Sequence, residues 1–194
     1  MSKIAIFASG AGSNADRILA FTNDLQPDVQ VDCLLTNKKV AGIYEVAEKN
    51  SVPIFYFSNQ DFSDSTKIVS FLKQRKIEWI VLAGFLRKVE ADVVGAYNNK
   101  IFNLHPSLLP KFGGKGMFGE NVHNAVIEAG ENESGITIHL VNNEFDKGEI
   151  IFQAKCSVAE GQTVEELAKK IQKLEHENFA ETVVRYIENS EVQN

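Results

Sequence analysis

Four short runs of mainly apolar residues, separated by helical patterns, determine what the first half of this sequence can fold into. The first three runs are each followed by apolar residues at helical spacing, such as Ile18 and Leu19, or Ile68 and Leu72. A run that is apolar throughout is typical of a strand covered on both faces. Strands that alternate with helices predict an α/β fold with a doubly wound, mostly parallel sheet and right-handed crossovers. The four predicted strands are residues 4–8, 31–35, 53–57 and 79–83.

The second half of the sequence predicts strands of another type. Residues 135–141 alternate strictly between apolar and polar, which predicts a strand with one buried and one polar face. A second such strand is predicted at 150–155, so we expect antiparallel strands near the C-terminal half. A long final helix should begin at Thr163, because Thr163 and Glu166 have the spacing of a capping box.

The remaining segments fit one domain spanning residues 1–194, a length that can form one ample core. Residues 58–65 are predicted to be a polar loop. Further helices are predicted at 42–49, from Ile68 to about residue 76, at 91–97 and at 121–129. His123 would lie on the last of these as a surface or packing residue.

Asn103 and His105 are the first candidates for chemistry. They follow the apolar pair at 101–102, and residues two apart on a strand point to the same face. Pro106 ends the strand at once. An open α/β sheet presents its ligands at the carboxyl ends of its strands, so this pair suits an active site. The alternative is that His105 caps a strand end and Asn103 satisfies a turn.

A glycine loop at 9–14 lies between the first strand and the first helix. Glycines let the backbone approach an anion, and the free N–H groups of a helix N-terminus attract it, so Gly12, Ser13 and Asn14 could bind a phosphate. The loop has neither the third glycine of a dinucleotide fingerprint nor the Gly-Lys-Ser/Thr of a P-loop. A tight turn with Ser13 or Asn14 as N-cap is the alternative.

Three further segments could border such a site. Gly84 would let a ligand approach the fourth strand, with Phe85 and Leu86 either forming an apolar wall or covering the end of the sheet. The glycine-rich segment 111–120 is not a P-loop, because Lys115 is followed by glycine; we expect a mobile flap. Asp146 lies in a long turn at 142–148, where it is either a turn former or a functional residue.

Glu175 interrupts the apolar stripe of the final helix. A carboxylate on a core-facing stripe needs a partner. It therefore either reaches solvent at the margin of the stripe or meets a polar ligand.

Composition limits the classes of partner. The formal net charge is −6 and the charges are scattered, which argues against a nucleic-acid surface but allows a small anionic substrate. The two cysteines, Cys33 and Cys156, are far apart and fit small buried residues in a reducing compartment. No signal peptide or apolar run of about 20 residues is present, so we expect a cytoplasmic protein without membrane contact.

Four motifs, taken together, resemble one known family. They lie in order at 9–14, 82–87, 103–111 and 144–148. With them the chain resembles the phosphoribosylglycinamide formyltransferases over essentially its whole length, with their Rossmann-type, formyltransferase-like fold. The second and third motifs also mark the wider family of formyltetrahydrofolate-using hydrolases and transferases. Gly12, Ser13 and Asn14 point to the ribonucleotide enzymes within it.

The resemblance implies an activity and its substrates. It implies transfer of the formyl group of 10-formyltetrahydrofolate to the amine of phosphoribosylglycinamide, in purine biosynthesis, with no metal and no covalent intermediate. Both partners would be small molecules, and the protein a monomer or homodimer. The resemblance also implies roles for individual residues: Gly12, Ser13 and Asn14 for phosphate, Glu175 for ribose, Leu86, Arg87, Lys88, Val89 and Asn103 for the folate, and Asn103, His105 and Asp146 for catalysis.

The chemistry of these side chains fits the implied roles. The Asn103 amide and a protonated His105 can stabilise the oxyanion that forms on the formyl oxygen. Asp146 beside His105 should raise the pKa of the imidazole and could carry the proton from amine to folate nitrogen. Two features depart from the family. The glycine-rich segment 112–119 is longer, and the 58–65 segment has no arginine for the folate tail, where Lys67 is a weak substitute.

Several rival functions remain to be compared. Formyltetrahydrofolate hydrolase uses the same site with water as acceptor but carries an extra N-terminal domain, for which the first strand at Lys3 leaves no room. Methionyl-tRNA formyltransferase would need a C-terminal RNA-binding domain and a basic surface. A non-catalytic folate- or nucleotide-binding protein is opposed by the joint presence of Asn103, His105 and Asp146. The transferase is therefore the prediction.

Overall fold

The computed structural model describes residues 1–25 and 28–192, without the side chain of Val192. Within those residues it has seven strands: β1 (Ser2–Phe7), β2 (Val29–Thr36), β3 (Ile54–Tyr56), β4 (Trp79–Leu82), β5 (Ile101–His105), β6 (Glu133–Leu140) and β7 (Ile150–Ser157). The helices are α1 (Ser13–Leu25), α2 (Ile43–Lys49), α3 (Asn59–Ser63), α4 (Ser65–Gln74), α5 (Ala91–Ala96), α6 (Glu120–Glu128) and α7 (Val164–Val192).

All seven strands form one sheet in the order β3-β2-β1-β4-β5-β6-β7. Strands β1 to β5 are parallel, whereas β6 runs antiparallel to both β5 and β7. The predicted doubly wound, mostly parallel sheet with antiparallel strands near the C-terminal half is confirmed. The order reverses between β1 and β4, and the crevice outside the carboxyl ends at such a point is where open α/β sheets bind ligands.

Two apolar cores cover the two faces of the sheet. The larger core contains α1, α2, α6 and α7, and Phe179 and Val183 of α7 are buried there against Ile18 and Leu19 of α1. The smaller core packs α3, α4 and α5 against the other face. Because both faces are covered, the central strand β4 is apolar throughout, which is the pattern that made it recognisable in the sequence.

Two predictions about local structure are wrong. Residues 58–65 are not a polar loop: Ser58 and Asp61 form a reciprocal capping box that begins α3, and Asp64 accepts a hydrogen bond from the N–H of Lys67 to cap α4. Strand β6 is not polar on one face, because all of its residues except Glu133 are buried. Helix α7 and strands β5 and β7 enclose it, so Thr137 and His139 lie inside the protein.

The predicted start of the final helix is confirmed. The N–H of Glu166 donates to Thr163 Oγ1, and the N–H of Thr163 donates to the Glu166 carboxylate. Cys33 is buried, which raises the pKa of its thiol to about 12, and Cys156 is half-buried. Within residues 1–25 and 28–192, no helix has both the length and the apolar character needed to cross a bilayer.

Candidate active site

A cavity of about 540 Å³ opens at the carboxyl ends of β4 and β5. It is bordered by the loop after β4, by the glycine-rich segment 112–119, which we call the flap, by the 141–149 loop and by α7. Nine of the residues predicted from the sequence line it: Asn14, Leu86, Arg87, Lys88, Val89, Asn103, His105, Asp146 and Glu175. Gly12 and Ser13 lie beside Asn14 at the start of α1.

Asn103 and His105 lie on one face of β5, as the two-residue spacing predicts. His105 is only 3% exposed, and its Nε2 lies 2.8 Å from the carbonyl oxygen of Phe112 in the flap. A carbonyl can only accept, so Nε2 carries a proton and donates it to Phe112. The Nδ1 atom of His105 faces the Asp146 carboxylate at 3.7 Å.

Asp146 lies between two imidazoles. Its Oδ2 is 3.7 Å from His105 Nδ1, and its Oδ1 is 3.7 Å from His139 Nε2. Oδ2 also accepts a hydrogen bond of 2.8 Å from the N–H of Gly114. Burial acts to raise the pKa of Asp146, but hydrogen bonding to the carboxylate, including that from the Gly114 N–H, outweighs it and holds the pKa below its ordinary value. The carboxylate is therefore ionised at neutral pH.

The predicted rise in the pKa of His105 is wrong for the protein without ligands. Burial lowers the pKa of this imidazole, and His139 adds to that effect. Asp146 and the hydrogen bond to Phe112 act in the predicted direction but do not outweigh burial. His105 is consequently neutral at neutral pH, with its proton on Nε2.

The loop at 9–14 and the final helix meet on the same face of the sheet. Asn14 Nδ2 donates a hydrogen bond of 2.9 Å to Glu175 Oε2, which joins residues 161 positions apart. Burial raises the pKa of Glu175, and the bond from Asn14 offsets only part of that rise. Gly12 has a φ of +79°, and a Cβ there would lie 2.6 Å from Ile43 Cδ1, so glycine is required at this turn.

The loop after β4 contributes to both the core and the cavity. Phe85 packs edge-on against Phe7 and also lines the cavity, where Leu86 is 56% exposed. Arg87 is held by Ser63 and Glu90, and the Lys88 ammonium lies 5.0 Å from the centre of the Phe145 ring. Lys67, the suggested substitute for a folate-tail arginine, is instead ion-paired with Asp61.

The sequence did not point to three residues that the structure places at this site. His139 and Thr137 lie opposite Asn103 and His105 in the β5–β6 pair, and Thr137 Oγ1 holds the loop after β5 through Ser107 and Leu109. His123 is buried, as one alternative predicted, but it also lines the cavity. The sequence shows that Thr137 and His139 lie on the same side of β6. It does not show that they face β5, because that depends on the register between the two strands.

The fold and the site define a class of protein: an open α/β domain whose asparagine, histidine and aspartate line one cavity at the carboxyl ends of the central strands. The Formyl transferase model matches residues 2–183. The chain therefore belongs to the formyl transferase family. Among the described residues, no group of three or more His, Cys, Asp or Glu side chains is arranged to hold a metal ion.

Relatives in sequence and structure agree with this family. The chain is 40% identical over 186 residues to the chloroplastic phosphoribosylglycinamide formyltransferase of Arabidopsis thaliana, covering 93% of this chain and 64% of that protein. It is 34% identical to phosphoribosylglycinamide formyltransferase of Bacillus subtilis, covering 94% of this chain and 93% of that one. The crystal structure of the Bacillus halodurans enzyme of that name superposes with a TM-score of 0.86 at 34% identity, covering 96% and 95% of the two chains.

The relatives differ in length. The chain spans less than two thirds of the two plant proteins that it matches, 64% of the Arabidopsis protein and 59% of the one from Vigna unguiculata. It spans nearly all of the Bacillus subtilis protein.

Proposed function

We propose that this protein transfers the formyl group of 10-formyltetrahydrofolate to the amine of phosphoribosylglycinamide, a step of purine biosynthesis. The observation that supports this most strongly is the convergence of Asn103, His105 and Asp146 at the cavity, with Asp146 3.7 Å from His105. The names of the bacterial relatives that match nearly the whole chain agree with this activity.

The proposed reaction is a direct transfer. The amine nitrogen attacks the formyl carbon, a new C–N bond forms, and the bond from that carbon to the folate nitrogen breaks. Negative charge develops on the formyl oxygen in between, where N–H donors stabilise it. We assign this role to the Asn103 amide and to the Nε2–H of His105, which would exchange the Phe112 carbonyl for the formyl oxygen.

Asp146 is the proposed proton carrier. The attacking amine must lose a proton and the leaving folate nitrogen must gain one, so a single group that does both completes the reaction. Asp146 is ionised at neutral pH and lines the cavity, and it or a water that it holds could serve. No step requires a metal or a nucleophilic side chain.

The proposed binding roles follow the two ends of the cavity. Gly12, Ser13 and Asn14 begin α1, whose free N–H groups suit the substrate phosphate, and Glu175 would accept hydrogen bonds from the ribose hydroxyls. Leu86, Arg87, Lys88 and Val89 border the other end, where the folate would bind with Asn103. A cytoplasmic location, a single 1–194 domain and a monomeric or homodimeric state remain predictions.

An absorbance assay that follows the release of folate from 10-formyltetrahydrofolate tests the activity directly. We expect release from 10-formyltetrahydrofolate only when phosphoribosylglycinamide is present, and a loss of at least about a hundredfold in His105→Ala. Asn14→Ala should weaken the apparent affinity for the ribonucleotide. Matched controls are His176→Ala and Asn98→Ala, whose side chains do not line the cavity.

The other outcomes identify the rivals. Equal release with and without the ribonucleotide would establish formyltetrahydrofolate hydrolase. Binding of both small molecules without release would establish a non-catalytic binding protein.

A further inference from the structure

We propose that His139 is a positioning residue for the transfer. As a neutral imidazole with its proton on Nδ1, it fixes the orientation of the Asn103 amide so that an N–H, not the carbonyl, is available to the reacting formyl oxygen. This inference rests on the proposed function, because it assigns Asn103 its role as an oxyanion donor.

The strand pairing places His139 on β6 directly opposite Asn103 on β5. The two residues are partners in the antiparallel β5–β6 pair, so their side chains lie on the same face. The register of the β6–β7 pair shifts between Ile138 and His139, and irregularities of this kind redirect side chains next to active sites. His139 is 2% exposed, so the protein alone decides where its nitrogens bond.

The contacts of His139 fix its tautomer. Its Nδ1 lies 2.8 Å from the carbonyl oxygen of Leu140. Because that oxygen can only accept, Nδ1 carries a proton, and Nε2 of the neutral ring is then an acceptor. Asn103 Nδ2 lies 3.1 Å from that Nε2 and can donate to it.

This tautomer determines which way the Asn103 amide faces. An acceptor nitrogen can bond only to the NH₂ group, and an Asn103 turned by 180° would bring its oxygen against the Nε2 lone pair. In the held orientation, one N–H of Asn103 is bonded to His139 and the second N–H of the same nitrogen remains. Asn103 lines the cavity, so this second N–H is the donor we assign to the formyl oxygen.

A cationic His139 would remove this arrangement. With protons on both nitrogens, Nε2 would become a donor facing the Asn103 NH₂ group, and Asp146 Oδ1 at 3.7 Å would be its natural acceptor. The groups around the ring are Asn103 from β5, Asp146 from the 141–149 loop, His105 and the Leu140 carbonyl. The 3.1 Å contact of Asn103 Nδ2 with His139 Nε2 pairs a donor with an acceptor when the ring carries only the Nδ1 proton.

A double-mutant cycle tests the kinetic consequence. His139→Leu should lower kcat about as much as Asn103→Ala does, roughly a hundredfold, with KM for both substrates changed by less than about threefold. In the Asn103→Ala background, His139→Leu should cause no further loss, because the amide that it is proposed to position is gone. His139→Gln, whose side-chain oxygen can accept from Asn103, should recover most of kcat. His176→Leu serves as the histidine control.

The results separate this inference from the proposed function. Wild-type protein without ribonucleotide-dependent transfer would overturn the function. An active wild type with His139→Leu at full kcat, or with losses that simply add in the double mutant, would overturn the role of His139. Circular dichroism checks the fold, and if His139→Leu does not fold, the comparison of His139→Gln with wild type carries the cycle.

Nitrogen NMR of the imidazoles tests the tautomer without any turnover. In ¹⁵N-labelled protein, the pair of resonances that disappears in His139→Gln belongs to His139. We expect the pattern of a neutral ring protonated at Nδ1. A ring protonated at Nε2, or at both nitrogens, at the pH of the assay would overturn the proposal.

Discussion

At the scale of single residues, the balance between burial and charge pairing decides the state of His105. Its pKa is lowered because burial outweighs the attraction of Asp146. The short distance between the two side chains, 3.7 Å, does not by itself make an imidazolium. Desolvation of a nearly fully buried ring opposes the charge, and the neutral ring retains an N–H that can donate.

Replacing Asp146 should lower the pKa of His105 further. The carboxylate is the largest influence that acts to raise this pKa, so Asp146→Asn removes it. NMR titration of the imidazole protons measures the shift. Glu120→Gln is the matched control, because Glu120 acts on His123 and should lower the pKa of that residue alone. A rise in the pKa of His105 in Asp146→Asn would contradict this account of the pair.

Glu175→Gln should separate stability from activity. The pKa of Glu175 is raised in the folded protein, so above the ordinary pKa of 4.5 its charged form destabilises the fold. Glutamine removes this charge and keeps an oxygen that can accept from Asn14. We expect a higher urea midpoint at pH 7 and a weaker apparent affinity for the ribonucleotide. At pH 4 the gain in stability should shrink, because the wild-type carboxyl is then mostly protonated; an equal gain at both pH values would contradict the explanation.

At the scale of elements, a close approach of backbones fixes the loop that carries Asp146. A Cβ at Gly148 would lie 1.6 Å from the Leu140 carbonyl oxygen and 3.4 Å from His139 Nδ1. The N–H of Leu140 also donates to the Glu149 carbonyl across the same gap. The end of β6 and the start of β7 are therefore held at a spacing that only glycine permits.

Gly148→Ala should consequently lower both stability and activity. The obstructing atom is backbone, so the 141–149 loop must move as a whole, and Asp146 with it. We expect a loss of more than about 2 kcal/mol in the free energy of unfolding, typical of a forced backbone shift. Gly95→Ala in α5 is the control: no atom lies within 4 Å of its added Cβ, and alanine is the better helix former. Urea unfolding of both variants decides the point.

Some strands and helices could be predicted from the sequence, and others could not. Strand β4 and residues 4–7 of β1 were recognisable because burial on both faces makes a strand segment apolar throughout. Helix α3 was missed because its five residues are too few for a hydrophobic period, and only the Ser58–Asp61 capping box marks it. His139 was missed because its role depends on the register between β5 and β6, which is a long-range property.

At the scale of the whole molecule, three histidines with lowered pKa values link stability to pH. Burial lowers the pKa of His105, His123 and His176 below the ordinary value of 6.5. Near pH 6.5 these histidines therefore bind more protons in the unfolded chain than in the folded protein. The stability of the fold consequently falls as the pH drops through 6.5. Glu175 acts in the opposite direction, because its raised pKa favours the folded protein as the carboxyl becomes protonated.

We expect the urea midpoint to be lower at pH 5.5 than at pH 7.5. His123→Gln should make this decrease shallower, because it removes one of the three depressed imidazoles. Circular dichroism during urea titration at the two pH values measures both effects. An unchanged slope in His123→Gln would show that this imidazole does not contribute to the pH dependence.

The packing of α1 against α7 has a consequence for a chain that is still being synthesised on the ribosome. Helix α1 is synthesised before α7, but Asn14 bonds to Glu175 of α7, and Ile18 and Leu19 share an apolar core with that helix, which begins at Val164. Until α7 packs against α1, the loop at 9–14 has its glycine turn but not Glu175, to which Asn14 bonds in the folded protein. We therefore expect a nascent chain without α7 to lack one side of the proposed ribonucleotide site, so that binding there requires synthesis to have passed α7.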